Sequence, residues 1–230
     1  MRRIDKGSPP GILARKASDW TAEYLTAVAE KKNPLPRRWA HPEIRSELLN
    51  ETERHCAYCE STLEVTSSGD VEHIYPRRHR PELVVTWSNL TMACSVCNRS
   101  KSDYYDPGSD LIHPYEENPH DHFAYFGPFI HAKSGSIRAR ITIEVVGLLR
   151  LALVERRKQR IDEVERLVFD YQRAPAALRR PILAAISENV RDGEYQATVK
   201  AFLHAIGFDL DAELVDKVVL VEREKNDGEA

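Results

Sequence analysis

The pattern of hydrophobic and polar positions predicts two helices in the first quarter of the chain. Residues 9–32 are typical of a helix that opens at a Pro-Pro-Gly sequence, and the proline-rich stretch 33–36 ends it. Residues 42–54 predict a second helix, because their apolar positions recur with helical spacing. The apolar positions that share one side of this second helix are Ile44, Leu48 and Leu49.

The second half of the chain is also predicted to be mainly helical. Residues 137–143 alternate apolar and polar side chains, which favours a strand. From Glu144 the period becomes helical, and helices are predicted through about Ala205 and again over 211–222. The basic run 155–160 is interpreted as a solvated helix face, with phosphate contact as the alternative. These patterns predict an α+β fold with helical ends.

The centre of the chain contains all four of its cysteines, in two Cys-x-x-Cys pairs. A strand is expected within 62–71 and a short helix over 95–101. Two such pairs offer four thiolates, which is the ligand set of a closed tetrahedral zinc site. The cysteines could instead form two disulfides, or be free and buried. The predicted zinc ligands are Cys56, Cys59, Cys94 and Cys97.

Composition limits the class of protein. The chain has 230 residues, of which 42% are hydrophobic and 30% charged, so it can bury a core in one or two domains. No apolar stretch is long enough to span a membrane, and the first residues do not resemble a signal peptide. We therefore expect the protein to be located in a reducing cytoplasm, where its thiols stay free to bind a metal. The net charge of −3 means that any affinity for nucleic acid must be local.

Side chains suited to metal-assisted hydrolysis lie between the two cysteine pairs and directly after the second pair. Glu72 and His73 are neighbours, so on an extended strand they would point to opposite faces. Glu72 and Asn98 offer hard oxygen donors of the kind that Mg²⁺ prefers, and His73 is a candidate general base. A Glu-His pair taken alone is usually a solvated surface feature. Here the pair lies within a four-cysteine frame that also includes Asn89 and is followed by Asn98, and this context favours a catalytic role.

These motifs together resemble a known family. Glu-His-Ile-x-Pro, Asn-Leu and Cys-x-x-Cys-Asn-x-x-Lys resemble the HNH nucleases, which have a ββα-metal fold with a zinc-bound form. The resemblance implies that His73 is the catalytic base and that Glu72 and Asn98 hold the catalytic Mg²⁺ or Mn²⁺. It also implies that Asn89 braces the catalytic loop. The chain departs from the commonest pattern by having Glu72 in place of Asp and Asn98 in place of His.

Basic residues cluster beside the HNH-like motif. Phosphate contacts supply most of the sequence-independent affinity for nucleic acid, so these side chains are candidates for holding a strand against His73. A solvated charge run would have the same composition. The candidate nucleic-acid-binding residues are Arg77, Arg78, Arg80, Arg99 and Lys101.

The motif divides the chain into three expected regions. They are a helical N-terminal arm (1–54), a ββα-metal zinc core (55–105), and a mainly helical accessory region (106–230). A wider resemblance rests on short patterns outside the core, namely Arg2-Arg3-Ile4-Asp5-Lys6-Gly7, Asn118-Pro119, Thr142-Ile143, Gly147-Leu148 and Arg150. It is to PtuB-like nuclease subunits of Septu-type and retron-linked anti-phage systems. That resemblance implies a partner, an ABC-type ATPase known as PtuA.

The leading hypothesis is therefore a metal-dependent endonuclease that acts on DNA or RNA. A zinc ion held by four thiolates has no open position for water, so the zinc is expected to be structural. The same argument disfavours a base-modifying zinc enzyme, which needs an open metal position. Two competing hypotheses are a non-catalytic zinc module that binds nucleic acid or protein, and a stand-alone HNH nuclease without a role in defence.

Overall fold

The computed structural model describes residues 1–63 and 69–214, which mix helices with two small sheets. They form two compact units. The first consists of 1–124 and 130–150, and the second consists of 125–129 and the described residues from 151 onward. The α+β fold class is confirmed. The three-region division remains a prediction, and most of the helix predicted over 211–222 lies outside the described residues.

Two helices open the first unit, as the apolar pattern predicts. Helix α1 spans Gly11–Ala29 and helix α2 spans Pro42–Glu51. Helix α2 begins with a proline at its first position, and the His41 side chain caps it by accepting a hydrogen bond from the Glu43 amide. The apolar side of α2 is buried, with Ile44 and Leu48 fully enclosed. A short 3₁₀ helix between α1 and α2 carries the buried Trp39.

Lys6 ties the first residues of the chain to the core of this unit. Its ammonium donates to the Glu51 carboxylate at 2.9 Å and to the Leu90 carbonyl at 2.7 Å. The same ammonium lies 4.0 Å from the centroid of the Trp87 ring. Burial lowers the pKa of Lys6, while the hydrogen bond to Glu51 acts in the opposite direction. A partly buried cation held this way fixes the segment before α1 against α2 and against the backbone at Leu90.

A ββα unit follows α2. Strand β1 (Asp70–His73) pairs antiparallel with β2 (Leu90–Ala93), and helix α3 (Ser95–Lys101) begins directly after β2. The register places Glu72 opposite Thr91. The bounds of α3 match the predicted helix. The sequence predicts a strand within 62–71, but β1 begins only at Asp70 and continues to His73. Residues 64–68 of the expected range lie outside the described residues.

The strand predicted over 137–143 is wrong, because this segment belongs to helix α4 (Ile137–Val146). Apolar residues alternate along it, yet the buried positions follow the helical spacing i, i+3, i+4 and i+7. Those buried positions are Ala139, Thr142, Ile143 and Val146. The set of side chains that is buried in the folded unit therefore differs from the alternating apolar set that suggested a strand.

Two short strands precede α4. They are β3 (Phe123–Phe126) and β4 (Phe129–Ala132), and they form the second sheet. Helix α4 is capped at its C-terminal end by Gly147, whose positive φ of 70° is a backbone conformation that glycine adopts without strain.

Three helices make up most of the second unit. They are α5 (Leu151–Arg173), α6 (Ala176–Asp192) and α7 (Gln196–Ala205). They enclose a core whose buried aliphatic members are Val164, Val168, Leu183, Ile186, Val190, Val199 and Leu203. None of the helices in the described ranges is long and apolar enough to cross a membrane.

The basic run 155–160 is only partly a solvated face. Arg157 and Arg160 are buried. Arg160 is held by Glu163 at 2.6 Å and by the Asn189 carbonyl at 3.1 Å. Glu163 lies on α5 with Arg160, whereas the contact with Asn189 joins α5 to α6 inside the second unit. Together they supply acceptors that a buried guanidinium needs. The interpretation of the whole run as solvated surface is therefore wrong for these two arginines.

Candidate active site and metal centre

The four cysteines converge on one point in the first unit. Their Sγ atoms all lie within 4.8 Å of one another, and those of Cys59 and Cys94 are 3.8 Å apart. A tetrahedral zinc ion with Zn–S bonds of about 2.3 Å requires sulfur separations of about 3.8 Å. A disulfide requires about 2.05 Å, and all four thiols are free. The geometry fits a zinc ion held by four thiolates and does not fit a pair of disulfides.

Local backbone geometry presents these thiols. Cys94 is the residue immediately before α3, and its Sγ accepts a hydrogen bond from the Cys97 amide at 3.4 Å. On the other side, the Ala57 amide donates to the Met92 carbonyl at 2.9 Å, which ties the first Cys-x-x-Cys turn to β2. Both turns are therefore anchored on the same strand, which directs their sulfur atoms toward each other.

Arg150 covers the more exposed side of the thiol cluster. Cys94 is partly exposed, whereas the other three cysteines are buried. The Arg150 guanidinium donates to Cys97 Sγ at 3.4 Å, and its second terminal nitrogen lies 3.8 Å from Cys94 Sγ. It also donates to the Gly147 carbonyl at 3.1 Å. Four thiolates and one Zn²⁺ carry a net charge of −2, so this guanidinium neutralises part of that charge.

His73 is buried beside the cleft in a defined tautomer. Its Nε2 lies 2.8 Å from the Val84 carbonyl oxygen, which can only accept, so Nε2 carries the hydrogen and Nδ1 keeps its lone pair. The Trp39 ring packs edge-on against the imidazole, with centroids 5.1 Å apart. Burial lowers the pKa of His73 to about 4, although the hydrogen bond to Val84 raises it. The imidazole is therefore neutral near pH 7.

Asn89 braces the loop that joins β1 to β2. Its Oδ1 accepts from the Tyr75 amide at 2.7 Å, and its Nδ2 donates to the carbonyls of Tyr75 and Leu83 at 3.1 and 3.2 Å. The side chain is 2% exposed. Asn89 thus acts on the backbone on both sides of the loop, and Leu83 directly precedes the Val84 carbonyl that orients His73.

Lys101 has a different environment from the one expected for a phosphate contact. It is 2% exposed, and its ammonium lies 2.7 Å from Glu72 Oε1 and 2.9 Å from the His73 carbonyl oxygen. A buried ammonium engaged by these groups cannot reach a nucleic-acid backbone. The structural role of the Lys101 ammonium is therefore to neutralise the carboxylate of Glu72. Burial raises the pKa of Glu72, and the charge of Lys101 opposes that shift.

Two adjoining cavities meet at the candidate catalytic residues. They have volumes of about 330 and 420 Å³, and both are lined by Glu72, His73, Arg77 and Asn98. The first is also lined by Asp70. The Asn98 amide donates to the Asp70 carboxylate at 2.9 Å. The fold therefore brings Asn98 together with Glu72 and His73, which lie well before it in the sequence.

The N-terminal region supplies one side of this cleft, which the sequence did not predict. Arg37, Trp39 and Arg45 line the first cavity together with His73. Arg45 also donates to the Gly69 carbonyl at 3.0 Å, next to the start of β1. No signal in the sequence pointed to these residues, because they lie well before the motif and belong to no recognised pattern.

The predicted basic residues are distributed unequally around the cleft. Arg77 lines both cavities, and its guanidinium lies 5.0 Å from the centroid of the Trp39 ring. Arg78 and Arg99 line the second cavity. Arg80 pairs with the neighbouring Glu82 carboxylate and lines neither cavity.

Comparison with known proteins agrees with this geometry. Residues 56–104 match the family model described as HNH endonuclease. This segment is an HNH domain. It contains both cysteine pairs and the whole ββα unit.

Two similar proteins extend the resemblance beyond the HNH domain. One, named Septu protein PtuB, from Bacillus thuringiensis, is 29% identical over 66% of this chain and 56% of its own length. Another of the same name, from Bacillus mycoides (strain KBAB4), is 26% identical over 72% of this chain and 68% of its own. The first match thus spans little more than half of that relative.

The zinc centre gives a first prediction. Cys56→Ser or Cys97→Ser should yield unfolded or insoluble protein, because a structural zinc contributes on the order of 10 kcal/mol of folding free energy. Metal analysis of the purified wild-type chain should find one zinc per molecule. Soluble, folded wild-type protein without zinc would contradict this assignment.

Arg150 gives a second prediction. Arg150→Met should release zinc to a chelating dye roughly tenfold faster than the wild type, because removing a hydrogen-bond partner of a metal ligand weakens metal retention. Arg150→Lys should be intermediate, since an ammonium keeps the charge but not the planar fork. The exposed Arg140→Met on α4 is the matched control. Equal release rates for Arg150→Met and this control would refute the role of Arg150.

Proposed function

We propose that this chain is a metal-dependent HNH endonuclease that hydrolyses phosphodiester bonds in nucleic acid. The observation that carries the proposal is the state of His73. The Val84 carbonyl fixes the hydrogen on Nε2, and burial keeps the ring neutral. The side chain lines the same cleft as Glu72 and Asn98. A neutral imidazole with a free Nδ1 is suited to accept a proton from water.

The donor chemistry of the cleft fits a hard divalent cation. Glu72 offers a carboxylate and Asn98 an amide oxygen, which are ligands that Mg²⁺ and Mn²⁺ accept. Both line the cavity that contains His73. When bound there, such a cation would supply Lewis-acid stabilisation of charge on the phosphate. The zinc would remain structural, because four thiolates fill its coordination sphere.

The arrangement of side chains around His73 supports attack of water on a phosphodiester bond. His73 Nδ1 takes a proton as the water oxygen forms a bond to phosphorus and the bond to the leaving oxygen breaks, and the leaving oxygen takes a proton from solvent water. The Val84 hydrogen bond keeps the imidazole oriented, and Trp39 packs against the ring and limits its movement. Asn89 holds the loop backbone near Val84. These contacts maintain the base in one position, which general base catalysis requires.

Arginines around the cleft support binding of a polyanion. Arg37 and Arg77 are exposed and line the cavity of the candidate active site, and Arg78 and Arg99 line the adjoining cavity. The chain has a net charge of −3, so attraction for phosphates must come from this local concentration of arginines. Arginine forks match phosphate oxygens in pairs. Because phosphates are common to DNA and RNA, these arginines fit either substrate.

His73 provides the direct test of the activity. The full chain should cleave at least one of plasmid, single-stranded DNA or tRNA in Mg²⁺ or Mn²⁺, and the substrate that is cut distinguishes DNA from RNA. His73→Ala should reduce the rate by about 10²–10⁴-fold, which is the usual loss when a general base is removed. Zinc content should be unchanged and the unfolding temperature should stay close to that of the wild type, with only the modest loss expected from truncating a packed side chain. The exposed His204→Ala is the matched control. Cleavage by His73→Ala at the wild-type rate would exclude His73 as the base.

We further propose that the nuclease works within an anti-phage defence complex. The support is the similarity to two proteins named Septu protein PtuB, together with the resemblance to PtuB-like nuclease subunits. That resemblance implies a PtuA-like ABC-type ATPase as partner. The helical second unit, which includes α5 to α7, is large enough to carry a partner surface.

The partner is tested by affinity capture from the native cell. A tagged full-length chain should recover an ABC-type ATPase, and the His73→Ala chain should recover it equally, because catalysis is not needed for docking. A variant that ends after Arg150 keeps the HNH domain and should lose the ATPase. A chain that is monomeric in the cell and cuts its substrate efficiently alone would favour a stand-alone nuclease.

A further inference from the structure

Asn98 differs from the other candidate ligand in one chemical respect. A carboxylate presents oxygen on both sides, whereas an amide presents oxygen on one side and NH₂ on the other. A cation accepts only the oxygen. An amide ligand therefore needs a neighbour that fixes which end faces the metal, in the way that partners of metal ligands commonly set ligand orientation.

The structure contains such a neighbour in Asp70. The Asn98 Nδ2 donates to Asp70 Oδ2 at 2.9 Å. A carboxylate can only accept, so this contact identifies the end of the amide that carries the hydrogens and keeps Oδ1 available. Asp70 is the first residue of β1 and stands two positions before Glu72, so both carboxylates are on the same face of the strand. Asp70, Glu72 and Asn98 line one cavity.

We propose that Asp70 is a positioning residue of the catalytic metal centre, which orients the Asn98 amide so that its oxygen binds the divalent cation. This inference rests on the proposed function, because it assumes that Glu72 and Asn98 hold that cation. It explains how an asparagine can stand where the HNH pattern usually has a histidine. An imidazole needs no choice between oxygen and NH₂, whereas the amide here depends on Asp70.

The test measures Mn²⁺ binding to the full-length, zinc-loaded protein by calorimetry, without nucleic acid. Asp70→Ala should weaken Mn²⁺ binding by about 10- to 100-fold, the usual cost of losing a partner of a metal ligand. Asp70→Asn should bind nearly as well as the wild type, since its amide oxygen still accepts from Asn98. Asp103→Ala, which removes another carboxylate near the cleft that pairs with Arg78, is the charge control and should leave the affinity unchanged.

A double variant separates orientation from direct ligation. In Asn98→Asp the ligand offers oxygen on both sides, so adding Asp70→Ala should cause no loss of Mn²⁺ affinity. A loss as large as in the wild-type background would mean that Asp70 itself binds the cation, which would overturn the proposal. Wild-type affinity in the Asp70→Ala single variant would also overturn it.

The proposed function and this inference fail in different ways. Glu72→Gln should weaken Mn²⁺ binding whatever Asp70 does. If Glu72→Gln has no effect, or if the wild type binds no Mn²⁺, the proposed metal centre is wrong and the inference falls with it. If Glu72→Gln weakens binding and Asp70→Ala does not, only the role of Asp70 is rejected. Zinc content and unfolding temperature, measured for each variant, identify any loss that comes from misfolding.

Discussion

The candidate active site depends on the convergence of four thiols. Cys56 and Cys59 precede β1, while Cys94 and Cys97 flank the start of α3, so a zinc ion between them would close a long loop. That loop contains His73 and Asn89, and the last zinc ligand is directly followed by Asn98. A short two-stranded sheet is only marginally stable by itself in water. The thiol cluster therefore fixes the ends of the segment that contains Glu72, His73 and Asn89, and it also fixes the backbone next to Asn98.

Charge is balanced inside this unit by cations withdrawn from solvent. Lys101 pairs with Glu72, Arg150 donates to the thiols, and Lys6 pairs with Glu51. Each cation is partly or fully desolvated, and each is compensated by an anion or by carbonyl oxygens, as burial of charge requires. The arrangement leaves His73 neutral among cations, because burial and the charges of Arg77 and Lys101 all disfavour its protonation. The environment that stabilises the fold thus also sets the state of the proposed base.

The N-terminal region and α4 are parts of the same compact unit as the HNH domain. Trp39 packs against His73, and Arg37 lines the cleft. Arg150, just after α4, contacts the thiols of Cys94 and Cys97. The residues that match the family model end at 104, yet contacts from both sides of the chain complete the site. An isolated segment 56–104 would lack the Trp39 packing and the Arg150 guanidinium.

The sequence by itself determined the chemistry and the local elements that carry it. The paired Cys-x-x-Cys spacing, the Glu72-His73 pair and the helix over 95–101 follow from residue type and short-range spacing, which the folded chain preserves. Only the tertiary structure decided which charges are buried and which distant residues meet. It placed Lys101 inside against Glu72, brought Asp70 to Asn98 and Trp39 to His73, and made 137–146 a helix. These outcomes depend on long-range packing and desolvation, whose energies are properties of the assembled core and not of any local pattern.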